Sequence, residues 1–147
     1  MVNYAAAYPT GGAAVDERVK AFISTFYAIS DDPLRNDEWV DYFAPDASLV
    51  MADKRAEGVE EIRNLRESMW EKIRSRRHRL DKVFPAVFEL PGHEHESERR
   101  FEYMLYGSVD LELKSGDKVT GQWAGRAVLR DDGGALKYTF YQVYIHT

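Results

Sequence analysis

The residues best suited to chemistry in this 147-residue chain are two adjacent acids, Asp31 and Asp32, and a distant lone histidine, His78. The acids close the apolar stretch Phe22-Ile-Ser-Thr-Phe-Tyr-Ala-Ile-Ser30, which reads as a helix. A carboxylate bonded to one imidazole nitrogen fixes the ring's tautomer and supports the imidazolium. The second nitrogen is then free to take a proton from a substrate carbon. A base positioned in this way contributes about 10² to 10⁴ in rate. An aspartate after a helix also serves as a plain turn residue, and at this level Asp31 and Asp32 are equally acidic neighbours.

Other side chains carry weaker signals. Tyr27 lies one helical turn after Ile23, either as a hydroxyl donor into a cavity or as a core tyrosine with a polar tip. Met69, Trp70 and Trp123 suit a pocket wall, although each taken singly also suits ordinary core. Alternation through Leu136, Tyr138, Phe140 and Tyr144 puts Gln142 on the same face as large apolar groups, where a buried amide needs a partner. Arg74, Arg76, Arg77 and Arg79 crowd around His78 and read as a solvated corner. The segment Gly-His-Glu-His-Glu at 92–96 offers alternating His93 and His95 but not the enclosed ligand shell of a metal site, so no metal is expected.

Composition narrows the classes. The chain is 44% hydrophobic and 31% charged, which suits one globular domain with a self-sufficient core. A net charge of −5 opposes a duplex nucleic-acid binder, because phosphate binding depends on clustered Lys and Arg. The absence of cysteine removes disulfides and thiolate metal sites. The first ten residues lack a signal peptide's basic and apolar regions, and no apolar run approaches the roughly 20 residues of a membrane span. A cytoplasmic protein without membrane partners is expected.

The elements that must position the acids and the histidine follow from periodicity. A mobile start over 1–13 precedes one domain over 14–147. Val15, Val19, Phe22, Ile23 and Phe26 predict a first helix, and Trp39, Val40 and Phe43 a short second one. Residues 47–52 predict a short strand, and Val59, Ile62, Leu65, Met69, Trp70 and Ile73 a third helix after Gly58. Strands are then expected over 78–88, 100–113, 119–130 and 136–145. The turn residues Ser115-Gly-Asp117 and Asp131-Asp-Gly-Gly134 join the last three in a meander. Helices first and hairpin strands afterwards is an α+β pattern.

That order resembles the nuclear transport factor 2-like superfamily, in its SnoaL-like branch. The wording Phe43-Ala-Pro-Asp-Ala47, then Leu49-Val-Met51, then Gly58-Val-Glu-Glu-Ile62 is similar to that branch, as is a histidine heading the next strand. The resemblance implies a cystatin-like cone: a curved, mainly antiparallel sheet wrapped around three N-terminal helices, enclosing an apolar cavity. Gly107, Gly121 and Gly125 within strands fit such curvature. Counted back from Phe43, Asp32 stands where scytalone dehydratase carries an aspartate that orients a catalytic histidine, so the resemblance favours Asp32 over Asp31 as the partner of His78. Met51 stands where that enzyme has a substrate-polarising tyrosine, and its second catalytic histidine has no counterpart here.

The functional expectation is a cofactor-independent lyase or isomerase acting on an apolar, cyclic or polyketide-like small molecule. His78 and Asp32 would form the acid-base pair, with Tyr27, Met51, Met69, Trp70, Trp123 and Gln142 around the substrate. The alternative is a non-catalytic hydrophobic-ligand-binding or dimerisation module whose cavity is plugged by Trp70, Trp123, Tyr138 and Phe140. A homodimer is expected through the outer sheet face, where Thr139, Tyr141, Val143 and Ile145 would give the last strand an apolar outward pattern.

Overall fold

The computed structural model describes residues 4–10, 15–86, 88 and 100–147. Helices α1 (Glu17–Ser30), α2 (Asn36–Asp41) and α3 (Gly58–Ser68) accompany strands β1 (Phe43–Met51), β2 (Lys54–Glu57), β3 (Ile73–Ala86), β4 (Arg100–Leu113), β5 (Lys118–Asp132) and β6 (Ala135–His146). The strands form one curved, unclosed sheet in the order β2-β1-β6-β5-β4-β3. All neighbours are antiparallel except β1 and β6, which run parallel.

Helix α1 starts where the Asp16 carboxylate accepts from the Arg18 backbone N–H, satisfying one of the orphan donors at a helix N-terminus. Its apolar face buries Val19, Phe22, Ile23, Phe26 and Tyr27. Phe26 packs edge-on against Tyr27, Phe43, Tyr138 and Tyr141, so α1 is seated on β1 and β6 by interlocking aromatic rings. At the far end of β3 the chain bends through a register shift between Leu80 and Lys82. A Cβ on Gly107 of β4 would lie only 1.8 Å from the Arg79 carbonyl oxygen, so this crossing admits only glycine.

Strand β3 is an edge, and its outward charges, including Arg77 and Arg79, are of the kind that blunts an edge against further pairing. Its free backbone groups are partly used internally. Ala7 donates to the Asp81 carbonyl at 2.9 Å and accepts from the Val83 N–H at 3.0 Å, so residues 4–10, expected to precede the domain, lie along this edge.

Three local expectations need correction. Strand β3 begins at Ile73, five residues before His78, because α3 ends at Ser68 and a turn at Met69 and Trp70 follows directly. The short strand β2 carries no apolar alternation and pairs with β1 through its backbone. In β6, Leu129 faces Tyr138 while Val128 faces Phe140, leaving Thr139 as an extra, bulged residue. A bulge of one residue reverses the faces of everything beyond it. Tyr141 and Val143 therefore point inward and are buried, whereas Phe140, Gln142 and Tyr144 face outward, opposite to the alternation read from sequence.

Candidate functional site

The C-terminus of α1 is held in place by a buried arginine. Arg66 of α3 has no exposed surface and donates from Nη1 to the Ser30 carbonyl at 2.9 Å. Its Nη2 donates to the carbonyls of Asp32 at 2.9 Å and Ile29 at 3.3 Å, and its Nε to Asn36 Oδ1 at 2.8 Å. The last carbonyls of a helix lack partners within the helix, and a cation there also opposes the helix dipole. Arg66 thus sets the direction of the residues that leave α1, Asp31 and Asp32.

Those two acids have different fates. Asp31 points at β3: its Oδ1 lies 2.5 Å from His78 Nδ1, and its Oδ2 accepts from the His78 backbone N–H at 2.8 Å. The Tyr4 hydroxyl adds a third bond to Oδ2 at 2.7 Å. Asp32 turns away, and its Oδ1 accepts from the Leu34 N–H at 2.9 Å in a local, exposed turn. The partner of His78 is Asp31, and the alignment-based choice of Asp32 is overturned. The reason is geometric: at a helix end, adjacent side chains diverge by about 100°, so only one can face the sheet.

Side-chain exposure at the pair is 16% for His78 and 8% for Asp31. The imidazole packs against Tyr27, centroids 5.2 Å apart, and edge-on against Trp123 at 5.4 Å. With Nδ1–H donating to the carboxylate, Nε2 carries the free lone pair. On the same cleft the hydroxyls of Tyr27 and Tyr141 meet at 2.6 Å. Burial is the main cause that lifts both phenols well above the ordinary tyrosine pKa, so both stay neutral and able to donate.

His78 lines a cleft of about 170 Å³. Tyr27, Met51, Met69 and Trp123 line it as expected, together with the bulge-inverted Tyr141, Val143 and Ile145, and with Val109, Leu111, Arg66 and Arg76. Two expected wall residues do not. Gln142 lies on the outer face, and Trp70 stands behind the wall as a spacer between guanidiniums, 5.2 Å from Arg66 and 4.4 Å from Arg76. Of the proposed plugs, Phe140 faces outward under Arg126, and Tyr138 belongs to the aromatic packing beneath α1. Arg76 is no solvated corner either: β3 alternation turns it inward with His78, while Arg74 and Arg79 pair outside with Glu112 and Asp110. Burial lowers Arg76 to about 10, and burial together with the charge of Arg76 lowers Arg66 to about 9. Both remain cations at neutral pH.

A larger cleft, about 390 Å³, opens elsewhere between Asp37, Asp41, Val59, Arg63 and Lys137. Its charges neutralise one another in the pairs Arg63–Asp37 and Lys137–Asp41, and no base stands free there. Among the described residues no group of three metal-ligating side chains occurs, and His93 and His95 lie outside those residues. Among the described residues no helix is long and apolar enough to cross a membrane.

No family model matches the chain, and no curated sequence matches it. Solved structures do. A proposed scytalone dehydratase from Novosphingobium aromaticivorans is 10% identical with a TM-score of 0.72, over 89% of this chain and 83% of that one. A hexachlorocyclohexane dehydrochlorinase of type 2 is 10% identical, TM-score 0.68, over 89% and 84%. A proposed calcium/calmodulin-dependent protein kinase II association domain from Xanthomonas campestris is 18% identical, TM-score 0.73, over 97% and 96%. The fold is that of the nuclear transport factor 2-like, cystatin-like proteins, as the sequence resemblance implied.

Proposed function

We propose that the chain is a cofactor-independent lyase or isomerase in which His78, oriented by Asp31, moves a proton on an apolar cyclic small molecule. The observation that carries this reading is the 2.5 Å contact between Asp31 Oδ1 and His78 Nδ1 at the wall of a largely apolar cleft. Asp31 holds the ring by two bonds, one to Nδ1 and one to the backbone of the same residue, so Nε2 has a fixed direction. Proton uptake at Nε2 creates an imidazolium whose charge the adjacent carboxylate offsets. The C–H electrons pass to the substrate, either to expel a leaving group or to form an enolate that is reprotonated elsewhere. Tyr27, whose ring packs on the histidine, and its bonded partner Tyr141 offer neutral hydroxyls on the cleft for a developing oxyanion.

The dehydratase and dehydrochlorinase relatives support an elimination or isomerisation at fold level. The volume sharpens the substrate expectation: a cavity of about 150 Å³ accommodates benzene, so a single ring suits this cleft better than a polyketide-sized one. The test is deuterium exchange from solvent into a panel of cyclic ketones and β-substituted cyclic substrates, followed by NMR. Exchange or elimination by the wild type that disappears in a folded His78→Gln variant is expected. Unchanged turnover in that variant would sink the mechanism.

The second reading is a ligand-binding or dimerisation module. It draws on the similarity to the association domain and on an outer sheet face exposing Phe84, Met104, Tyr106 and Tyr144. Homodimerisation through this face is compatible with either reading, since the cleft opens on the opposite side of the sheet.

A further inference from the structure

Arg76 is the one arginine of the cluster around His78 that lines the cleft, and the proposed proton transfer leaves it unused. Its Nη2 donates to the Met69 carbonyl at 2.9 Å, and its guanidinium stacks 4.4 Å from the Trp70 ring. Its Nη1 is buried without a hydrogen-bond partner. Among the described residues no carboxylate makes an ion pair with it. Asp31, the acid whose charge it feels most, is already bonded by His78 and Tyr4. A guanidinium has five donors and cannot discard its charge at neutral pH, so an unpartnered Nη1 on a residue that lines the cleft leaves Arg76 with capacity for an anion.

The surroundings strengthen the positive field. On the other side of Trp70, Arg66 is fully buried, and it spends its donors on Asn36 and backbone carbonyls, which satisfy hydrogen bonding without cancelling the charge. Arg66 and Arg76 line the cleft, whereas the acids whose charge they feel, Asp31 and Asp32, do not, so the wall at this end is cationic. Away from His78, Ser30 and the two tyrosines, the rest of the wall is apolar, with Met51, Val109, Leu111, Trp123 and Val143. Hydrocarbon walls with a cation at one end select a ligand that is itself divided between a ring and an anionic group.

We infer that the cleft binds a single-ring carboxylate, its ring among the apolar walls and its carboxylate on Arg76. This deepens the reading of the cleft as the substrate site and names the substrate's charged handle. Arg76 is a binding residue here, distinct from the base, and a planar carboxylate matches its fork better than a neutral hydroxyl does.

The test uses benzoate and the neutral analogue benzyl alcohol as probes, titrated calorimetrically into the full chain at neutral pH and low salt. Benzoate is expected to bind about tenfold or more tightly than benzyl alcohol. Arg76→Gln is expected to remove that preference while leaving benzyl alcohol affinity unchanged, which also reports an intact cleft. Equal affinities in the wild type, or a benzoate preference that survives in Arg76→Gln, would overturn the inference. Should Arg76→Gln fail to fold, the wild type still decides: benzoate must produce a saturable shift of the Arg76 side-chain resonances, and an unmoved signal overturns it. Failure is separable from that of the proton-transfer reading. Exchange on neutral ketones without benzoate preference refutes only the anion site, and benzoate binding through Arg76 without any turnover refutes only the catalysis.

Discussion

Asp31 grips His78 twice, through Oδ1 to the imidazole Nδ1 at 2.5 Å and through Oδ2 to the same residue's backbone N–H at 2.8 Å. The second bond is available because β3 is an edge strand, so a main-chain donor is left facing the helix end. Ring and backbone are thereby tied to one carboxylate, and rotation of the imidazole would break a bond to a group that cannot follow it.

From this pairing, the two neighbouring acids should behave differently on substitution. Asp31→Asn should lower any His78-dependent turnover by roughly 10² or more, because an amide no longer enforces the tautomer that frees Nε2. Asp32→Asn keeps an acceptor for the Leu34 N–H and should change turnover by no more than a few fold. Steady-state rates of both folded variants check this, and equal losses would remove the distinction.

Arg66 should matter for stability more than its place in a highly charged helix suggests. Arg66→Met strips donors from the carbonyls of Ile29, Ser30 and Asp32; Ile29 and Asp32 keep the backbone N–H groups of Asp32 and Arg35, and the Ser30 carbonyl loses its donor at the end of α1. A loss of about 1 to 3 kcal/mol is expected, the cost of one unsatisfied buried group. Urea unfolding followed by circular dichroism measures it. A loss below about 1 kcal/mol would show that water replaces the guanidinium at no great cost.

Alkaline pH should unfold the protein steeply. Tyr27, Tyr103, Tyr138 and Tyr141 all have pKa values pushed up chiefly by burial, above the value of 10.0 they regain on unfolding. A phenol raised in the folded state contributes stability that is fully present below the unfolded value and is lost as pH rises toward the folded one. Above pH 10 each such phenol should therefore remove about 1.4 kcal/mol per pH unit. Arg66 and Arg76, lowered in the folded state to about 9 and about 10, act in the opposite sense over the window up to the ordinary arginine value they regain on unfolding. Four phenols against two guanidiniums leave a net loss. Urea midpoints at successive pH values, with phenolate absorbance recorded in parallel, give the slope. A midpoint flat from pH 9 to 11 would contradict it.

The outer sheet face should carry the self-association. Met104 and Tyr106 alternate outward on β4, with Phe84 beside them on β3 and Tyr144 on β6. Sedimentation at micromolar protein should show a dimer, and Met104→Glu with Tyr144→Glu should give a folded monomer by burying charge in the contact. A wild-type monomer would exclude the dimer, and a dimer untouched by both substitutions would move it elsewhere.

What was legible in the sequence was what depends on local order. Helical spacing identified α1 and most of α3, and alternation with glycine-rich turns identified β4, β5 and β6 nearly to their ends. The wording around Phe43, Asp46 and Gly58 was enough to reach the right fold. It also singled out His78, because a lone histidine beginning a charged strand is conspicuous in any register. Choices between near-equivalent residues were not legible. Asp31 and Asp32 have the same chemistry and differ only in the direction a helix end gives them, which Arg66 settles from 34 residues away. The faces of β6 depend on a single bulged residue, Thr139, whose presence is a matter of pairing with β5 and leaves no mark in the alternation. Arg76 reads like its neighbours Arg74, Arg77 and Arg79, and only the register of β3, which sets it on the face of His78, decides that it is the one turned into the cleft. The sequence by itself therefore determined the elements, their order and the histidine, all of which follow from period and composition. The tertiary structure decided which carboxylate holds it, which tyrosine and valine line its cleft, and where an unpaired positive charge was left, because each is a question of direction between segments distant in the chain.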